Sequence, residues 1–306
     1  MGDPNTLRSI AAKCVGALVL VVCGVYIWRS FQWQQAFGLL SKADPVWFLA
    51  GGGAGILVFW IMRALRWQLL LRGMKTETRF IDLYLCSAVA LSLSVFTPLQ
   101  SGELIKVELL RKHGQVARLP GYSAFLLERI ADLYAIIAMG MVALVFRLGS
   151  VSQGAIGLLA MLLLALPVAA YLLLHRLRPQ GRLGQVVAQV QGGVGSPAVL
   201  CMVLVLTFLG WAMVALAWQA CFVSLSIALG FIDMLGLLSA ITLASIISFI
   251  PGGIGVAEAG VTEILIGHGI GAPLAQAGAL LLRALSFVTI SLGLLHWLLL
   301  RLRPGN

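Results

Sequence analysis

Ser248-Phe249-Ile250-Pro251-Gly252-Gly253-Ile254-Gly255-Val256-Ala257-Glu258 breaks a run that carries no charge from Met234 to Ala257. Proline removes a backbone donor and glycine lets the chain reverse sharply, so an apolar helix stops here. A second break of this kind lies 153 residues earlier, measured between the prolines: Thr97-Pro98-Leu99-Gln100-Ser101-Gly102-Glu103, at the end of the uncharged run Leu83 to Gly102. A lone proline in an apolar helix reads as a packing kink. Glycine and an acid follow the proline at both places, which reads instead as two hairpin turns hinged at Pro98, Gly102, Pro251, Gly252, Gly253 and Gly255. Broken backbone inside a bilayer survives only where protein or a watery cavity surrounds it. Helix N-termini exposed at such turns can hold an anionic group such as a phosphate.

Composition sets the solvent. Of 306 residues, 60% are hydrophobic and 10% charged, and mean hydropathy is +1.01. Soluble domains carry about 25% charged residues, so this chain has too few charges to cover a water-facing surface. Soluble enzymes and nucleic-acid modules are excluded, and so is disorder, which needs low hydrophobicity. The long apolar runs fit a helical bundle and not an outer-membrane barrel. The net charge of +10 reads as loop charge facing anionic lipid. Cys14, Cys23, Cys86, Cys201 and Cys221 lie in apolar runs without a CxxC pair and read as small buried hydrophobes.

The runs order into spans. Arg8 and Lys13 precede an uncharged stretch from Cys14 to Trp28 with no small-x-small cleavage site after it, which predicts a retained signal anchor within residues 1–44. Further spans are predicted from Pro45 through Arg63, Arg66 and Trp67 to Leu71, then Leu119–Phe146, Leu148–Leu174, Pro197–Leu229 and Pro273–Leu300. Ala64-Leu65-Arg66-Trp67-Gln68 recurs as Ala215-Leu216-Ala217-Trp218-Gln219 at an offset of 151, and Leu126-Leu127-Glu128-Arg129 recurs as Leu281-Leu282-Arg283, with 154 between the arginines. With the two breaks, these matches predict one repeat over 45–147 and another over 197–306, joined by a span and a basic loop at 148–196.

Lysine and arginine placement orients the chain. If the first break belongs to a hairpin entering from the cytoplasm and the second to one dipping from outside, only Arg29, Lys42 and Arg147 of the 21 basic residues fall outside. The fold expected is therefore an all-α polytopic membrane protein with about six transmembrane spans plus two re-entrant helical hairpins in an inverted repeat. Both termini would be cytoplasmic and the protein would sit in the inner membrane.

Ionised groups inside a bilayer cost at least about 2.5 kcal/mol each and usually mark a pathway. The candidates are Arg66, Glu103, Lys106, Glu128, Arg129, Asp132, Glu258 and Arg283. Glu128 and Asp132 share a helix face, with Arg129 about 100° away. Either Arg129 and Arg283 pair with Glu103 and Glu258 across the repeat axis, or the arginines await a lipid phosphate while the acids handle an ammonium or a proton. A purely structural salt-bridge core is the third reading. Glu108, Glu263 and His268 read as interfacial. His113, His175, His268 and His296 are scattered, and no metal site, nucleophilic triad, Walker loop or cofactor motif is evident. Gly51-Gly52-Gly53 reads as close helix packing. Trp28, Trp33 and Trp47 suit an aromatic belt.

On these residues the sequence resembles the lysylphosphatidylglycerol synthase transmembrane-region family. The landmarks are Arg66-Trp67, Pro98 with Gly102-Glu103 and Lys106, Glu128-Arg129 with Asp132, the Pro251-Gly252-Gly253-Ile254-Gly255 block with Glu258, and Arg283. The family includes the flippase domain of multiple peptide resistance factors and archaeal dolichol-linked and hopanoid-associated relatives. Members often carry Asn before the first hairpin proline, where this chain has Ser92 and Ser94. The resemblance implies lipid translocation between leaflets. The expected cargo is a phospholipid, an aminoacylated lipid or a polyprenyl- or hopanoid-type amphiphile, its headgroup held by Arg129, Arg283 and Lys106 and balanced by Glu103 and Glu258. Relatives that transfer lysine carry a separate soluble domain, and none is recognisable in these 306 residues, so no enzymatic activity is expected. The alternatives are an accessory protein or enzyme of polyprenyl-linked glycan assembly or lipid modification, and an inert scaffold. Expected partners are membrane lipids, lipid-modifying or glycan-assembly enzymes and a second copy of the chain, not nucleic acid.

Overall fold

A computed structural model describes residues 21–95, 97–112, 116–149, 152–178 and 180–302, the side chains of 98–100 excepted. The described part is helical, with no strand among the described residues. Residues 21–30 are helical (α1), followed by α2 (Trp33–Leu40) and α3 (Trp47–Gly73). Next come α4 (Phe80–Ser94), a 3-10 segment (Pro98–Leu104), α5 (Ile105–Lys112) and α6 (Arg118–Leu148). Then α7 (Gln153–Arg176) and α8 (Gly181–Gly193) lead to α9 (Pro197–Ser224), α10 (Phe231–Ser248), a second 3-10 segment (Pro251–Gly253), α11 (Val256–Gly267) and α12 (Ala272–Arg301). The order helix, helix, 3-10 segment, helix, helix thus occurs twice, over α3–α6 and over α9–α12.

Among the described residues, six helices are long and apolar enough to cross a membrane: α3, α6, α7, α9, α10 and α12. Five match spans expected from sequence. The sixth, α10, was expected as the first arm of the second hairpin. Residues 1–20 of the expected signal-anchor segment, with Arg8, Lys13 and Cys14, lie outside the described residues. Local chemistry sets several boundaries. Ser152 and Ser196 cap α7 and α9, each hydroxyl accepting from the backbone N–H three residues on at 3.3 Å. Pro197 then occupies the first turn of α9, where its missing donor costs nothing. Gly149 ends α6 in the left-handed region.

Small residues let the helices close. An added Cβ at Gly51 or Gly55 would lie 2.7 Å from the Cβ of Ala220 or Ala217, so α3 and α9 cross almost backbone to backbone. The close packing expected of the Gly51 run is present, although Gly53 itself faces open space. The first turn of α3, Trp47–Gly52, is a π-helix and not the regular helix expected. α7 buries none of its residues. The view of the cysteines as uniformly buried needs correcting: Cys86 and Cys221 are buried, but Cys201 is exposed, because it lies on the outer face of α9. Trp28 and Trp47 are exposed and Trp33 partly so.

Candidate functional site

Arg63 and Arg66 are three residues apart and leave the same face of α3, while Glu128 and Asp132 leave one face of α6. The two faces meet. Arg66 Nη1 donates to Asp132 Oδ1 at 2.7 Å and to Thr207 Oγ1 at 2.8 Å, and its Nη2 reaches Glu128 Oε1 at 3.3 Å. Arg63 bridges Asp132 Oδ2 at 3.0 Å and Glu103 Oε2 at 2.7 Å. Lys106 ion-pairs with Glu128 and Arg129 with Glu103. Trp211 donates its indole N–H to Asp132 Oδ1 at 3.2 Å. Four cations against three carboxylates leave the cluster one net positive charge if all are ionised. All but Arg129 are buried. Lys106 also lies over the Trp67 ring, 4.5 Å from its centroid.

The second repeat holds one ion pair in the corresponding place. Arg283 Nε donates to Glu258 Oε1 at 2.5 Å, and its Nη1 donates to the Gly252 carbonyl at 3.1 Å. Glu258 Oε2 accepts from the Gly255 N–H at 2.7 Å, which satisfies a free donor at the start of α11. The pair therefore staples the Pro251–Gly255 turn into shape. In the first break, Thr97 Oγ1 plays a similar part by accepting from the Gly102 N–H at 2.7 Å. The two breaks touch: a Cβ at Gly252 would lie 2.5 Å from the Val95 carbonyl oxygen.

Two adjoining cavities open beside this contact. One, of 240 Å³, is lined by Glu258 and Arg283, and the other, of 230 Å³, by Arg63 and Glu103. They share Ser94, Val95, Trp218, Thr242, Leu282 and Ser286 as a dividing wall. Glu103 Oε1 is buried and accepts no hydrogen bond from a described residue. The buried acceptor is thus at the wall of a cavity whose other charged liner is a cation.

The sequence candidates divide into two groups. Glu103, Glu258 and Arg283 line the cavities. Arg66, Lys106, Glu128, Arg129 and Asp132 line neither, and brace the residues that do. Arg129 and Arg283 do pair with Glu103 and Glu258, but each pair forms within its own repeat. Sequence reasoning passed over Arg63, although its position three residues before Arg66 in an apolar helix was a usable signal. Ser94, one of the two serines noted before the first hairpin proline, lines both cavities and Ser92 lines neither. Thr242 and Ser286 were missed, since isolated hydroxyls in apolar runs carry no pattern. Of the residues read as interfacial, Glu263 accepts the Tyr26 hydroxyl and His268 faces Asp233 at 3.4 Å. No cluster of three or more potential metal ligands occurs among the described residues.

Glu108 lies apart from the site, on the exposed side of α5. Hydrogen bonds from Arg118 at 2.9 Å, Arg111 at 2.7 Å and Tyr122 at 2.9 Å hold its carboxyl down to about 2. A depressed folded value means the contribution to stability is present above the ordinary value of 4.5 and is lost as pH falls toward about 2. Carbon-13 titration of labelled glutamate should show Glu108 still ionised at pH 3. Because the group is exposed, its effect on the unfolding temperature should be slight.

Among curated proteins none matches the chain. Residues 13–293 match the family described as the lysylphosphatidylglycerol synthase TM region. That match takes in both breaks and every charged residue of the site, and the chain therefore belongs to the lysylphosphatidylglycerol synthase transmembrane-region family.

Proposed function

We propose that this protein moves an amphiphile with an anionic or zwitterionic headgroup between the leaflets of an inner membrane. The observation that carries the reading is the pair of adjoining cavities at the meeting point of two broken helices, each cavity lined by an arginine and a glutamate. The headgroup enters this divided chamber and the chains stay in lipid. Arg63 and Arg283 attract its phosphate, while Glu103 Oε1 accepts a donor from the headgroup. The lysine and arginine distribution supports two re-entrant hairpins entering from opposite faces, with both termini cytoplasmic. The wall around Trp218 and Leu282 then separates the cytoplasmic half of the route from the outer half.

The test is leaflet exchange in proteoliposomes containing fluorescent phosphatidylglycerol. Wild-type protein should make inner-leaflet lipid accessible to an external quencher. Glu103→Gln and Arg283→Ala should each slow this about tenfold, the scale of one lost charge-assisted hydrogen bond. Both variants folding normally and moving lipid at the wild-type rate would refute the assigned chamber.

A further inference from the structure

We infer that the groove between α6 and α10, outside the chamber, is a binding site for one anionic glycerophospholipid. It has a volume of 380 Å³ and His268 is among its lining residues. Its walls run from Arg147 to Ile137 on α6 and from Asp233 to Leu243 on α10. Ten residues of helix on each side make it about 15 Å long. The C-terminus of α6 and the N-terminus of α10 lie together, so Arg147, Asp233 and His268 all stand at the same end. Below them the lining is apolar, with Ile137, Met141, Leu144 and Leu243. A charged mouth above an apolar slot matches a headgroup above an acyl chain. A helix, about 10–12 Å across with its side chains, does not fit this volume.

Two observations set the groove apart from an ordinary lipid-facing surface. Arg147 makes no ion pair or side-chain hydrogen bond with a described residue, so its cation is available to a phosphate. The carboxylate of Asp233, in contrast, already faces His268. Ser239, six residues below Asp233, is 2% exposed, lines the groove, and its hydroxyl has no hydrogen-bond partner among the described residues. A buried donor left unsatisfied is costly. An ester carbonyl, which in a glycerolipid lies between the phosphate and the chains, reaches the depth of Ser239. Gly140 and Gly236 hold the helices close around it, since a Cβ on either would meet the opposite helix at 3.0–3.1 Å. The site joins the first repeat to the second, and does not depend on what the chamber carries.

The experiment uses the full chain, purified in detergent, stripped of lipid, and titrated with phosphatidylglycerol or phosphatidylethanolamine under native mass spectrometry. Wild-type protein should hold one phosphatidylglycerol more tightly than phosphatidylethanolamine. Arg147→Gln should weaken phosphatidylglycerol about tenfold and phosphatidylethanolamine less, so that the preference narrows. Ala240→Trp places an indole from an exposed groove position into the slot and should remove that bound lipid altogether. The inference is overturned if Arg147→Gln keeps the preference or if Ala240→Trp keeps the lipid. A photoactivatable phosphatidylglycerol on the unsubstituted protein gives an independent reading. It should label residues 137–147 and 233–243, and labelling confined to other segments would overturn the site without any variant.

Discussion

Asp132→Ala should destabilise the protein by about 3–5 kcal/mol, the cost of removing one partner from a buried ion pair. Asp132 is 4% exposed and accepts from Arg63, Arg66 and Trp211. Its loss takes the cluster from one net positive charge to two. Arg63 keeps Glu103 and Arg66 keeps Glu128 and Thr207, but each loses a carboxylate partner, and the two remaining carboxylates also serve Arg129 and Lys106. The Nε atoms of Arg63 and Arg66 already lack partners, so neither arginine has bonding in reserve. Asp132→Asn keeps an acceptor for Arg66 and should cost less than the alanine variant. Thermal unfolding in detergent gives the order. Unfolding of Asp132→Ala at the wild-type temperature would remove the case that this cluster holds α3 against α6.

A second large effect is expected at the contact between the breaks. Gly252 has a φ of +61°, and a Cβ there would lie 2.5 Å from the Val95 carbonyl oxygen. Alanine at this position meets two costs: about 1–2 kcal/mol for a left-handed L-residue, and about 1–3 kcal/mol for overpacking against backbone that cannot swing aside. Gly149 separates the two. Its φ is +60°, with nothing within 4 Å of an added Cβ. Gly149→Ala should therefore show the conformational cost alone. Gly252→Ala should be clearly the more damaging, and it should push the two 3-10 segments apart, which disulfide trapping between introduced cysteines on the two segments would register. Equal losses in the two variants would mean that the breaks do not press on each other.

The ionic residues show how far local reading reaches. Glu128 and Asp132 were legible as a pair because a helix repeats every 3.6 residues, and both meet Arg66. Arg129, on a neighbouring face, turns to Glu103. The expectation that Lys106 contacts a headgroup differs from its position, enclosed by Glu128 and the Trp67 ring and lining neither cavity. Its neighbours come from α3 and α6, which no spacing around residue 106 reveals. The groove under Arg147 was equally invisible, since Asp233 and Ser239 join it only when α10 lies against α6.

Local sequence alone settled that the chain is a bundle of membrane-crossing helices, broken at Pro98 and Pro251. Hydropathy, proline and glycine act on the segment that contains them, whatever packs around it. Only tertiary structure decided that Arg63 belongs to the ion cluster, that each arginine pairs within its own repeat, and that two cavities meet at Trp218. A buried charge is stabilised by whichever opposite charge lies within a few ångströms, and that neighbour is set by helix packing among residues far apart in the chain.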